Sequence, residues 1–361
     1  MFAAALGLVI ANTAIGPDVI RFTHLELGFL SLAHWVTEGL LAVFFFLAAV
    51  ELKHELTGGE LNSVRKAIVP AAAAVGGVAV PALVYFLVVG AGPLAVGWPI
   101  PTATDIAFAL GILAIVGRRL PPRLRAFLLA LAVLDDLIAI LIIAIYFTSS
   151  VRWLPLVIAV PLVVSFALIS RVRQRWWTVV LLVVLGVAVW VLVALSGIHP
   201  TVAGVALGLA IATRPGATAR HALEPISNAL VLPLFAFVAA LVVLPPVGVS
   251  HLSPAFWAIV IALPVGKLIG ITAGAAGAIA ATRRRDKTLP LGDVLVVASL
   301  GGIGFTVSLL MNQLAWKTDA SLVDEGTIAV LVASVISAVI GAVVTTIRSR
   351  AYPRPAPDST S

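Results

Sequence analysis

Two adjacent acids, Asp135 and Asp136, sit in the middle of the apolar run RAFLLALAVLDDLIAILIIAIYFT. From Ala126 to Phe147 the run is long enough to cross a bilayer, which takes about 20 apolar residues. A carboxylate near the bilayer centre costs roughly 2.5–3.5 kcal/mol on insertion scales, and intramembrane acids mark ion or proton pathways by default. Successive helical residues point about 100° apart, so the two acids face different surroundings. Two further charges read as deep: Asp105, and Lys267 as the sole deep cation. Three carboxylates against one ammonium leave a deficit of positive charge. A small hard cation with oxygen ligands, or protons, would relieve it. The structural alternative for this set is a buried ion pair.

The rest of the chain is built to hold such a group in a membrane. Of its 361 residues 61% are hydrophobic and 11% charged, with no cysteine, and mean hydropathy is +1.15. Soluble domains carry about 25% charged residues. Disulfides and cysteine metal sites are excluded. The net charge of +7 lies in short loops between apolar runs, which argues against nucleic acid. Twelve spans are expected, at 2–12, 32–52, 67–91, 100–117, 124–148, 153–170, 176–195, 200–213, 227–246, 255–282, 291–315 and 327–347. The first is short, as if its start were missing. All but four of the 23 Lys and Arg lie in one alternate set of loops and the tail. The exceptions are Arg21, Arg152 and Lys317 in the opposite loops and Lys267 within a span. The positive-inside rule then places both termini in the cytoplasm. Residues 1–350 read as one transport domain and 351–361, Pro-rich and polar, as a disordered cytoplasmic tail.

Two spans carry breaks. The fourth, WPIPTATDIAFALGILAIVG, has two prolines, then Thr102, Thr104 and Asp105; the eleventh, VLVVASLGGIGFTVSLLM, has Gly301, Gly302 and Gly304. Interrupted segments at corresponding places in two halves point to a transporter's ion site. Spans 3–5 and 10–12 occupy mirrored positions, and an odd number of spans per repeat makes the repeats inverted. Glu38 and Asp293, near span starts, read equally well as functional charges or as residues that merely snorkel to an interface or cap a helix.

These stretches resemble the NhaA-type sodium/proton antiporters. The resemblance rests on HWVTEGLLAVFFFLAAVELKHEL, IVPAAAAVGGVAVPALVY, GWPIPTATDIAFALGILAIVGRRLP, FLLALAVLDDLIAILIIAIYFT, GIHPTVAGVALG, LPLFAF, GKLIG and GGIGFTVS, in family order from about residue 30 to 345. It implies an all-α polytopic membrane protein of about twelve helices, an inverted-repeat transporter whose spans 4 and 11 break and cross near the midplane. It further implies Asp136 as the essential ion ligand and Asp135 as a second ligand or the partner of Lys267. Asp105 and Thr104 lie at the crossing, Asp105 offsetting positive helix N-termini and Lys267 negative C-termini. Glu51 and Glu55 match acidic positions of a cytoplasmic funnel tied to pH response. His54 beside them stands where the family usually has arginine, and Val238, Ala239 and Ala240 replace a usual Ala-Asn-Ala-Gly stretch.

The implied activity is exchange of cytoplasmic Na+ or Li+ for external H+, two protons per sodium and therefore electrogenic. No cofactor is expected, only the transported cations. The expected partners are the lipid bilayer of a bacterial cytoplasmic membrane and a second copy in a homodimer. Burial disfavours a charged carboxylate and a nearby ammonium favours it, so a site balanced between the two can trade a proton for a cation. Two rivals differ in kind. A sodium-coupled organic anion symporter would need more donors lining the spans. An intramembrane aspartyl protease needs two acids on different helices sharing a water, for which only Asp293 offers itself as the second.

Overall fold

The computed structural model describes residues 2–28, 30–59, 61–148, 151–243, 252–282 and 290–352, without the side chains of 64 and 65. Among the described residues the regular structure is helical apart from one short hairpin of two-residue strands, β1 (Glu26–Leu27) with β2 (Leu30–Ser31), with Gly28 between them at φ +78°. In chain order the helices are α1 (Phe2–Ala11), α2 (Gly16–Thr23), α3 (Leu32–Thr57), α4 (Val64–Val89), α5 (Ile106–Val116), α6 (Pro122–Tyr146) and α7 (Trp153–Ser170). There follow α8 (Trp176–Leu195), α9 (Thr201–Ala210), α10 (Thr213–Ala239), α11 (Pro254–Ala281), α12 (Leu291–Gly301), α13 (Phe305–Ala315) and α14 (Ala320–Arg350).

Among the described residues nine helical segments are long and apolar enough to span a membrane, α5 being counted with the turns before it as Pro93–Val116, or up to 11 if each bent pair counts as one span. The bent pairs are α1 with α2, at 115°, and α12 with α13, at 47°; α9 is a shorter apolar helix. Each of the twelve expected spans thus has a helix or helix pair. The first differs from expectation in kind: its apolar run ends at Ala11 and the chain turns sharply into α2. Asn12 holds the turn, donating to Leu8 O at 2.8 Å and to Val242 O at 2.9 Å. The ninth also differs. Its helix starts at Thr213, fourteen residues before the expected 227, because TRPGATARHALEPI is polar on one face and escapes a hydropathy reading. The tail from residue 353, and the basic loop of Arg283, Arg284, Arg285 and Lys287, lie outside the described residues.

The chain divides into two compact units, and the division falls inside α6, between Asp135 and Asp136. Residues 1–62, 136–248 and 309–327 form one unit. Its core joins α3, α7, α8 and α9 around Phe166, Val189, Trp190 and Ala203, with Trp35 stacked on Trp190 at 5.7 Å. In it α9 lies directly on α3. A Cβ at Gly204 or Gly208 would strike the carbonyl oxygens of Ala42 and Phe46, the small-residue contact typical of membrane helices.

Residues 63–135, 249–308 and 328–361 form the other unit. There α4 and α11 touch through Gly76 and Gly270, where each glycine's missing Cβ makes room for the other's carbonyl. Before Lys267, α11 widens into a π-helical turn at Ala262–Gly266. Pro264 within it has no N–H to donate, and such bulges recur at functional sites. α5 is preceded by two 3-10 turns, Pro93–Gly97 and Ile100–Thr102, and by the extended residues Ala103 to Asp105. α12 and α13 are separated by Gly302, Ile303 and Gly304.

Candidate functional site

The two breaks meet inside the second unit. The Asp105 amide donates to Ile303 O at 2.5 Å, and the Thr104 hydroxyl donates to Gly301 O at 2.7 Å. Each break thereby satisfies a backbone group of the other. Asp105 does more. Its Oδ1 accepts the Phe108 amide at 3.2 Å, capping α5. Its Oδ2 accepts the Thr306 amide at 3.3 Å and the Thr306 hydroxyl at 2.8 Å, capping α13. One buried carboxylate therefore serves two helix N-termini, whose amides would otherwise lack partners and whose dipoles favour negative charge. Asp105 is 3% exposed and Thr104 2%.

Glycines shape this crossing. A Cβ at Gly302 would come within 2.8 Å of Ser337 Oγ and 3.2 Å of Leu263 O. The crossing cannot close as tightly with any larger residue there.

Lys267 is fully buried, and its Nζ donates to Asp135 Oδ2 at 2.6 Å. This is a charge-assisted bond in a setting without solvent. The Thr104 hydroxyl lies against the Asp135 carboxylate, but its proton goes to Gly301 O. Asp135 Oδ1, also buried, is left without a donor among the described residues. Asp105, Thr104, Asp135 and Lys267 thus form one connected polar group on α5, α6 and α11 and the extended turn before α5. Asp136 follows Asp135 midway along the 25-residue α6 and is 4% exposed.

Glu51, His54 and Glu55 belong to the first unit, on α3. Glu51 forms an ion pair with Arg220, which also reaches Glu224 at 3.3 Å. His54 is exposed and Glu55 buried. Lys53 between them donates to Leu209 O at 2.9 Å and Ile211 O at 2.5 Å, tying α3 to the end of α9. Val50, Lys53, His54, Gly216, Arg220 and His221 line a shallow cleft there.

Two partners were not singled out from sequence. Thr306 lies in GGIGFTVS, where the glycines draw attention and the threonine does not. Arg220 lies in the polar stretch that hides the start of α10; its i,i+4 spacing to Glu224 was the available signal. Among the described residues no cluster of three or more His, Asp or Glu side chains has the layout of a metal centre.

Glu38 lies within α3, in a π-helical turn at Trp35–Leu40. Asp293 differs from the interface reading: it is fully buried, with Arg348 Nε at 2.7 Å and the Tyr352 hydroxyl at 2.7 Å.

The family model described as Na+/H+ antiporter 1 matches residues 1–345. A protein named Na(+)/H(+) antiporter NhaA 2 from Clavibacter michiganensis subsp. michiganensis is 54% identical over 364 residues, covering 97% of this chain and 89% of that protein. One named Na(+)/H(+) antiporter NhaA from Tropheryma whipplei (strain Twist) is 44% identical over 349 residues, 93% of this chain and 89% of its own length. Another of that name, from Streptomyces antibioticus, is 46% identical over 336 residues, 90% and 69% of the two chains.

Proposed function

Starting from a chain that belongs to the Na+/H+ antiporter 1 family, a multi-pass membrane protein of the transporter class, we propose that it exchanges cytoplasmic Na+ or Li+ for external H+ by competition at Asp135 and Asp136. The observation that carries this reading is the Asp135–Lys267 pair beside the crossed breaks: a buried carboxylate with one oxygen on an ammonium and the other without a donor. A proton or an alkali ion can occupy such an oxygen, and each displaces the other.

Each residue has a part. Asp136 is the principal cation ligand. Asp135 alternates between Lys267 and the cation or proton, so Lys267 acts as an internal stand-in for the transported charge. Asp105 and Thr104 keep the two breaks in register, which fixes where the site lies along α6. Exchange of two protons per sodium makes the cycle electrogenic. Spans 3–5 and 10–12 form inverted repeats crossing near the midplane, a reading supported by their residues falling chiefly in one unit. Both termini face the cytoplasm of a bacterial cell, and the protein works as a homodimer without cofactors. Glu51, His54 and Glu55 form the pH-responsive group at the funnel, through the ion pair of Glu51 with Arg220.

The test is Asp136→Asn in everted vesicles with a pH-sensitive dye. Sodium-driven dequenching is expected to vanish while the variant still inserts at the parent level. Parent-level exchange by the inserted variant would refute the assignment.

A further inference from the structure

A third buried carboxylate in the second unit has no place in the exchange scheme. Asp293 stands in the first turn of α12 and is fully buried. Its Oδ1 accepts from Arg348 Nε at 2.7 Å and from the Tyr352 hydroxyl at 3.0 Å; its Oδ2 accepts from the same hydroxyl at 2.7 Å. Arg123, at the start of α6, brings a guanidinium nitrogen to 3.9 Å from Oδ2.

The surroundings are fitted to this arrangement. The Arg348 guanidinium lies over the Tyr352 ring, 5.3 Å from its centroid. It also lies against Gly292, where a Cβ would meet its Cζ at 3.1 Å. A buried carboxylate is stable only with its oxygens occupied, and here side chains from α14, from α6 and from Tyr352, two residues beyond α14, surround them.

The clamp sits at one end of α12, and the break sits at the other. From Asp293 to Gly301 the stiff helix rises about 12 Å. At the break end, Gly301 O takes the Thr104 hydroxyl and Ile303 O takes the Asp105 amide. A slip of α12 along its axis would therefore pull directly on Thr104, which lies against Asp135. Packing also holds α12, whose Val294, Val296, Val297 and Leu300 are fully buried; the clamp adds a directional, charge-assisted anchor near its start.

We propose that Asp293 is a positioning residue for the exchange site: held by Arg348 and Tyr352, it pins α12 to α14 and so fixes where the two breaks meet. The proposal rests on the reading of Asp135 and Asp136 as the site of exchange. It assigns Asp293 no contact with the ion.

The experiment uses full-length protein in proteoliposomes, with the apparent KM for Na+ and the maximal rate measured separately for Asp293→Asn, Arg348→Gln and the double variant. Each single variant is expected to raise KM roughly fivefold, within the range that residues remote from a ligand transmit. The maximal rate should stay within about twofold. The double variant should be no worse than Asp293→Asn, since both remove one interaction. Arg348→Lys, which keeps the charge, should recover most of the parent KM.

A folded Asp293→Asn with the parent KM overturns the proposal. So does a fall in maximal rate with KM unchanged, the mark of a merely structural part. If Asp293→Asn does not fold, Arg348→Gln and Tyr352→Phe each leave the carboxylate a partner and carry the same test. An Asp136→Asn control separates the two levels. Exchange surviving in that control sinks the site reading itself, whereas its loss alongside an unchanged KM in Asp293→Asn sinks the clamp alone.

Discussion

The crossed breaks in one unit and the Glu51–Arg220 group in the other are both polar clusters in an apolar chain, yet they are built on opposite terms. At the crossing, Asp105, Asp135 and Lys267 are each at most 3% exposed, and their side-chain bonds go to backbone amides, to the Thr306 hydroxyl or to each other. In the other cluster the Arg220 and Glu51 side chains are 32% and 14% exposed, and Arg220 divides itself between two acids. The first cluster must stay whole, because a buried charge stripped of its partner has no water to replace it. The second can be loosened or regrouped at small cost, since water and screening take over. A fixed site and an adjustable one therefore share a fold.

That contrast predicts a graded series. The largest effect belongs to Lys267→Met. Removing one partner of a buried pair costs about 3–5 kcal/mol, and thermal unfolding in detergent should register it. Adding Asp135→Asn should recover most of that stability, because exchanging both charged partners for neutral groups is often close to neutral. A Lys267→Met protein as stable as the parent would mean that the pair is more solvated than its geometry indicates.

An intermediate effect concerns His199, in the turn before α9. Its Nδ1 lies 2.7 Å from the Thr201 hydroxyl. Burial, and then the positive charge of Lys317, pushes its pKa down from 6.5 to about 4. Between those values the unfolded chain binds the proton and the folded one does not. The associated stability is therefore complete above pH 6.5 and declines as pH falls towards 4, by about 3 kcal/mol at most. His199→Gln should flatten that part of the stability–pH curve; an unaltered slope would place His199 in contact with water.

The smallest effect belongs to Glu51→Gln. Its partly exposed pair should change stability by less than about 1 kcal/mol while altering how the exchange rate varies with pH. A large loss of stability there would erase the distinction between the clusters.

Much of the crossing was legible from sequence because its signals are costly ones. Acids in apolar runs, prolines in a span and a glycine triplet all work against an ordinary membrane helix, so they stand out. Asp135, Lys267 and both breaks were read in this way, and every expected span has its helix or helix pair. What escaped was whatever looks ordinary. Thr306 is one threonine among many, and only the fold shows it bonded to Asp105. The first half of α10 is polar, and nothing in hydropathy joins it to the apolar half. Asp293 stayed an even choice between a functional charge and an interface or cap residue because its partners lie 55 and 59 positions away, a distance that no local pattern spans.

The central claim is that proton and alkali ion contend for the same oxygens, and sodium binding to the purified protein tests it most directly. Titration calorimetry at a series of pH values should show the apparent Kd for Na+ rising about tenfold for each unit of acidification per proton displaced, with heats that depend on buffer ionisation because protons leave as sodium enters. A Kd that stays constant as pH falls, with heats indifferent to the buffer, would contradict competition at Asp135 and Asp136.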